Sequence, residues 1–339
     1  MTKLLLTTVA LFSLSVPSIH GQAKEPLHLV STTRLPEITG GDFDHFAVDL
    51  KHHRLYVVAE VYASIEVFSL PDGKHLDSIR DVVKSPRKIA FVPDKQELLV
   101  ADAGNASCEI LDANDLRHRI TSVPLEPGPD AGAYDPRSHI FYVGNGGRAA
   151  HQDHSYVTAI SIDTNKVLDR VEIPAATIKT IVLDPRGHRI YATMRDKNQV
   201  AVVDLARKSV EAVWSNPALH TDSAMTTDLE HHRLFVGNRS PGSLLVMNAD
   251  TGSASMTLPI GDVSDDMTFD SKHRRVYISS ADGLDVIGQD DPDHYRLLQH
   301  LDTLGGKTSI YIPSLKRLYV VHTKGGPAPE AGLQIFAVE

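Results

Sequence analysis

One pattern of apolar and polar positions recurs along the chain. An aspartate leads into a short polar turn holding His or Arg, and an aliphatic–aromatic run follows. It reads Asp49…His53-Arg54-Leu55-Tyr56-Val57, then Asp135…His139-Ile140-Phe141-Tyr142-Val143 and Asp184…His188-Arg189-Ile190-Tyr191-Ala192. It returns as Asp228…His232-Arg233-Leu234-Phe235-Val236 and Asp270…Arg274-Arg275-Val276-Tyr277-Ile278. Two weaker copies lie at Leu98-Leu99-Val100 and Arg317-Leu318-Tyr319-Val320. With Tyr56, Leu99, Tyr142, Tyr191, Phe235, Tyr277 and Tyr319 as anchors, the intervals are 43, 43, 49, 44, 42 and 42 residues. Seven units near forty-odd residues match the length of four-stranded propeller blades. The units carry short β-branched runs and turn residues, and no helical periodicity, so strands are expected throughout.

In the first unit the pattern predicts strands at about His45–Leu50, Arg54–Ala59, Ser64–Leu70 and Lys74–Ile79, with a turn at Pro71-Asp72-Gly73. In the fourth it predicts Lys179–Asp184, Arg189–Met194, Gln199–Asp204 and Lys208–Trp214. Pro93, Pro136, Pro185 and Gly187 fall in turns, where they cost the sheet no hydrogen bond. The third interval is longer because Gly146–Ser155 extends a hairpin. The last unit stops after three strands, while Leu27–Thr33 is an apolar-rich strand with no unit of its own. It is expected to complete the seventh blade and close the ring, which removes two exposed edges. The fold class is therefore all-β: a seven-bladed β-propeller of four-stranded antiparallel blades over residues 24–339.

Residues 1–23 read as a secretory signal: Lys3, an apolar run from Leu4 to Leu14, and small residues at Gly21-Gln22-Ala23. Export to the periplasm or the cell exterior is the expectation. No later segment has the length and apolarity of a membrane-spanning helix. The formal net charge of −9 argues against a broad nucleic-acid surface, which needs surplus Lys and Arg. The single cysteine, Cys108, excludes an intrachain disulfide, so packing must supply the stability. Cys108 lies within a strand-like run, Ser107-Cys108-Glu109-Ile110-Leu111, and reads as a small core residue.

Phe43-Asp44-His45-Phe46-Ala47-Val48-Asp49, with His53-Arg54-Leu55-Tyr56-Val57-Val58, resembles the opening blade of the YVTN/YncE-like propellers of bacterial exported proteins. Asp265-Asp266-Met267, Arg275-Val276-Tyr277-Ile278 and Lys307-Thr308-Ser309 are similar to later blades of that group. The resemblance spans most of residues 27–339. It implies the seven-bladed fold and export, and carries no catalytic residue.

Propeller ligands usually meet the channel mouth, where each first strand begins. Twelve residues before the anchors stand Asp44, Arg87, Asp130, Lys179, Ser223, Asp265 and Lys307. The next positions hold His45, Lys88, Ala131, Thr180, Ala224, Asp266 and Thr308. Their near-alternating signs fit a ring in which neighbouring blades neutralise one another, Lys307 lying next to Asp44 at closure. That structural ring is the first reading; the second is a mouth that binds a small polar or zwitterionic ligand through Asp44, His45, Arg87, Lys88, Asp130, Lys179, Asp265, Asp266 and Lys307, with the Asp265-Asp266 carboxylates and His45 converging.

The 18 histidines are spread over equivalent turns of different blades, which separates them and argues against a shared metal site. The local pair in His151-Gln152-Asp153-His154 lacks a third ligand. Gly144-Asn145-Gly146-Gly147 and Lys324-Gly325-Gly326-Pro327 lack phosphate-loop spacing and read as turns. No nucleophile elbow is present, and no metal is assigned. Cofactors and catalytic residues stay unassigned. A binding or scaffold module, for a polar ligand or a protein partner, is the leading function. A lactonase-type hydrolase, possible with metal assistance, would need His45, Arg87, Arg195, Arg239 and His322 to approach the mouth. A quinoprotein-type redox propeller comes third, since no ligand set for its cofactor is visible.

Overall fold

The computed structural model describes residues 25–184 and 188–339. The expected secretory segment at residues 1–23 and Pro185 and Gly187, expected in a turn, lie outside them.

Seven four-stranded antiparallel sheets follow one another around a ring. The first blade is built from Phe43–Asp49, Arg54–Ala59, Ser64–Ser69 and His75–Ile79, strands A to D from the channel outward. The seventh takes Thr308–Ile312, Arg317–His322 and Ala331–Val338 from the carboxy-terminal end and Leu27–Leu35 from the amino-terminal end. Leu27 pairs with Val338 and Leu35 with Ala331, with one irregularity between Leu29 and Ser31. The expected closure is thus present. No helix among the described residues is long and apolar enough to span a membrane.

The pattern on strand B shows why the blades stack. Leu55, Val57 and Ala59 face the seventh blade, and Tyr56 and Val58 face the second. Both faces of the strand are buried, which explains its near-continuous apolar run. Seven apolar clusters result, one in each gap between neighbouring blades. Each fully buried large side chain contributes roughly 1.5–3 kcal/mol. Strand D of each blade lies at the rim and is half polar, as in Ser209–Ser215, where exposed and half-buried residues alternate.

The recurring Asp and His are turn chemistry. Asp49 accepts from the backbone N–H groups of Lys51 and His52, and its other oxygen meets His52 Nδ1 at 2.6 Å. Asp270 does the same with Lys272 and His273, and Asp228 with His231. The residue just before each strand B has a left-handed backbone: His53, Gln96, His139, His188, His232, Arg274 and Lys316. Histidine tolerates that region better than most residues, which accounts for its abundance here.

In the fourth blade strand A begins at Ile181 rather than Lys179. The N–H groups of Lys179 and Thr180 both donate to Thr193 Oγ1, at 3.0 Å each, instead of to the ladder. That frees Lys179 to lean over the channel.

Candidate functional site

Side chains at the end of strand B fix the loops that enter strand A. Asp102 accepts from the N–H groups of Lys84 and Ser85, both at 2.8 Å. Asp196 accepts from Ala176 and Thr177, and Asn238 Oδ1 from His220. These clamps set the approach of Arg87, Lys179 and Ser223 to the mouth.

There the seven blades converge on a well of about 140 Å³, lined by residues that include Asp44, His45, Arg87, Asp130, Lys179, Asp265 and Lys307. Seven of the nine residues expected at the mouth line this space. Asp266 and Lys88 lie beside it, within reach of its charges.

The partners differ from a simple alternation around the ring. Lys179 pairs with Asp130 at 2.5 Å, as neighbours should. Arg87, however, pairs with Glu60 at the end of the first blade's strand B, at 2.5 Å, rather than with Asp44. Lys307 reaches Asp42 at 2.8 Å and Asp265 at 3.6 Å, and passes over Asp44. Arg239 also pairs with Asp265, at 3.6 Å. Among the described residues Asp44 has no Lys or Arg within 4.0 Å; His45 approaches it, with Nε2 at 3.4 Å and its backbone N–H donating at 3.2 Å.

His45 is held from its other side. Its Nδ1 lies 3.0 Å from Asp266 Oδ1, and Asp266 Oδ2 accepts the Ser309 N–H at 3.0 Å. Asp265 and Asp266, adjacent in the chain, therefore serve different partners and do not converge. Lys88 forms no ion pair with a described carboxylate, and its stem covers Gly132, where a Cβ would stand 3.1 Å from Lys88 Cγ. The remaining second-tier positions are small and interlocked: Thr180 Oγ1 donates to Ser223 O, and Thr308 Oγ1 to Phe43 O.

Burial governs the electrostatics. It pushes the Asp44 carboxyl up to about 7; His45 and Lys179 oppose this, and Asp130 and Asp265 add to it. Burial and Lys88 disfavour a charged His45, but Asp266 and Asp44 outweigh them and hold the imidazole above its usual value. Burial likewise resists ionisation of Asp266, which His45, Lys88 and the Ser309 N–H reverse. Lys88 is held below the ordinary lysine value by burial, despite Asp266, Asp44 and Asp130.

Beside the well opens a cleft of about 570 Å³, and Arg87, Asp130 and Lys179 line both. Its far wall includes the extended hairpin after Gly146, where Gly147–Ala150 form a single 3₁₀ turn. Gly147 has φ +61°, and a Cβ there would stand 2.3 Å from Ala176 O. The Arg148 N–H donates to that same oxygen at 2.9 Å.

Arg239 lines the well and Arg195 the cleft, whereas His322 is buried against Gly332 and Thr323 and lines neither. In the hairpin His154 bonds Asp153 and Tyr156, and no group of three or more His, Cys, Asp or Glu able to hold a metal occurs among the described residues. Asp42 and Glu60 are mouth residues that the upstream alignment misses. Four residues downstream of the anchors stand Glu60, Arg195 and Arg239, so the same register contained the signal for three of the mouth's groups.

No family model matches the chain, and no curated protein matches it. Among solved structures it is similar to Kuenenia stuttgartiensis hydrazine synthase, with TM-score 0.70 and 14% identity, over 90% of this chain and 95% of that one. It is also similar to a chain of the mitotic checkpoint complex, with TM-score 0.74 and 12% identity, over 98% and 99% of the two chains. At such identities the likeness extends to the fold alone.

Proposed function

We propose that this protein is a binding propeller whose channel mouth takes a small polar ligand with a cationic group. Asp44 carries this reading. Among the described residues it is the one carboxyl of the well that the mouth's lysines and arginines leave without a partner, and its site disfavours a bare negative charge. An incoming ammonium would supply the missing partner and hold Asp44 ionised. The other mouth charges are spent on each other, and they make a rigid, polar rim around the opening. Export remains part of the proposal, on the strength of the secretory pattern at residues 1–23.

Calorimetric titration with primary amines tests it. Micromolar to millimolar binding that vanishes in Asp44→Asn, with unchanged melting behaviour, supports the function. Amine binding that survives Asp44→Asn removes it.

One observation favours a second reading, a hydrolase of the lactonase type. Asp44 titrates near neutrality beside His45, which Asp266 orients, and such a pair suits general acid–base chemistry. Turnover of simple lactones that is lost in both Asp44→Asn and His45→Gln would support it; no turnover at any pH between 5 and 9 would remove it.

A further inference from the structure

We infer that the cleft beside the well is an anion subsite, so that the ligand is a small zwitterion bridging the two spaces. This rests on the proposal that Asp44 receives a cationic group.

The charges of the cleft carry the inference. Arg87 and Lys179 form its sill, and each is already neutralised, by Glu60 and Asp130. Two further guanidinium groups are not. Arg148 has no carboxylate within 4.0 Å among the described residues, and its side chain contacts Thr177 Oγ1 at 3.4 Å. Arg195 also lacks a carboxylate within 4.0 Å; it donates to Ser223 Oγ at 2.7 Å and to Asp222 O at 3.3 Å. The Asp222 side chain is buried near it, but neither of its carboxylate oxygens takes a hydrogen bond from the guanidinium, which reaches the Asp222 carbonyl instead. Asp265 and Asp130 act on Arg195 only from beyond contact distance. Two guanidiniums with no carboxylate in contact on one polar wall are a site for a carboxylate or a phosphate, whose oxygens match their forked donors.

Shape limits the rest of the ligand. Among the described residues no aromatic side chain lines the cleft, so it offers no aromatic platform for a sugar ring or a base. A volume of about 570 Å³ falls within the range of small-molecule sites, while the well, at about 140 Å³, has room for little more than a head group. Gly128 helps keep the cleft open: a Cβ there would stand 2.4 Å from Ala149 Cβ. The combination selects an extended polar molecule with an amine at one end and an anion at the other, such as a short peptide or an amino-acid derivative.

Calorimetry with matched probes tests it: triglycine, triglycine amide, N-acetyltriglycine and aminoethyl phosphate. Triglycine should bind at least about tenfold more tightly than either singly charged peptide. Arg195→Ala and Arg148→Ala should reduce triglycine to the affinity of its amide and leave the amide unchanged, with Arg195→Lys recovering part of the loss. Either order of carboxylate and phosphate probes supports the subsite and names its preferred anion. Equal binding of triglycine and its amide, with both still lost in Asp44→Asn, overturns the cleft inference and leaves the well's function standing. Binding of N-acetyltriglycine that needs Arg195 but not Asp44 overturns the well's function instead. No binding of any probe at millimolar concentration overturns both.

Discussion

His45 Nδ1 lies 3.0 Å from Asp266 Oδ1, and the two belong to blades that are not neighbours in the ring. The seventh blade stands between the first and the sixth. Asp266 binds it too, through the Ser309 N–H. One carboxylate thus joins three blades where the two ends of the chain meet. Asp266→Asn keeps the shape and removes the charge, and should cost about 2–3 kcal/mol in urea denaturation. The His45 titration followed by NMR should move down at the same time, because its stabilising carboxylate is gone. An unchanged His45 titration in the variant would contradict the contact.

Stability should fall as pH rises through neutrality. Asp44 has a folded value of about 7, far above the ordinary carboxylate. Asp222, at about 6, and His45, also raised, act in the same direction. A group raised on folding stabilises fully below its unfolded value and loses that contribution as pH passes its folded value. For Asp44 the loss spans roughly pH 4 to 7. Asp44→Asn should flatten the melting-temperature profile over that window and be more stable than the parent at pH 8. Asp266 has the opposite sign, and its contribution disappears only in acid. Parallel profiles for variant and parent would mean that Asp44 is not buried in its neutral form.

The ring and its closure were legible because they depend on backbone spacing. Tyr56, Tyr191, Tyr277 and Tyr319 are all fully buried on strand B, so one register marks every blade. The mouth was legible as a set of residues for the same reason. Its pairings were not. Whether Arg87 meets Asp44 or Glu60 depends on side-chain direction, since strand B returns Glu60 to the mouth beside strand A. Lys307 is long enough to pass Asp44 and reach Asp42. The cleft was invisible as a cavity, although the long third interval marked the hairpin that walls it.

Closure of the ring depends on Leu27. It is fully buried among Tyr277, Leu284, Leu318 and Phe336, on the last strand to be added to the seventh blade. Leu27→Ala should cost about 2–5 kcal/mol, the range for emptying a packed leucine site. Hydrogen exchange should localise the effect: amides of Ala331–Val338, which pair with Leu27–Leu35, should lose protection more than those of the third blade. Uniform loss across all blades would show that the ring does not open at this seam.

Cys108 should report global unfolding. It is buried in the cluster between the second and third blades, and burial together with Glu109 raises its thiol. The thiolate is the reactive form, so the folded protein should resist aromatic disulfide reagents at pH 8. Labelling should follow the denaturation curve seen by circular dichroism. Rapid labelling under native conditions would require the second and third blades to separate locally.

Lys88 separates a binding role from a structural one. Its ammonium has no ion-pair partner among the described residues, and burial holds it below the ordinary lysine value even against Asp266, Asp44 and Asp130. The folded state therefore holds this charge less favourably than water does. Its apolar stem, in contrast, packs over Gly132. Lys88→Met keeps the stem and removes the charge, so the variant should melt at the same temperature as the parent or higher. Removing the charge should also tighten triglycine amide, because one repelling cation leaves the vicinity of the well. A variant that melts lower, as Asp266→Asn is expected to, would instead make Lys88 part of the frame that holds His45 and Asp266 together.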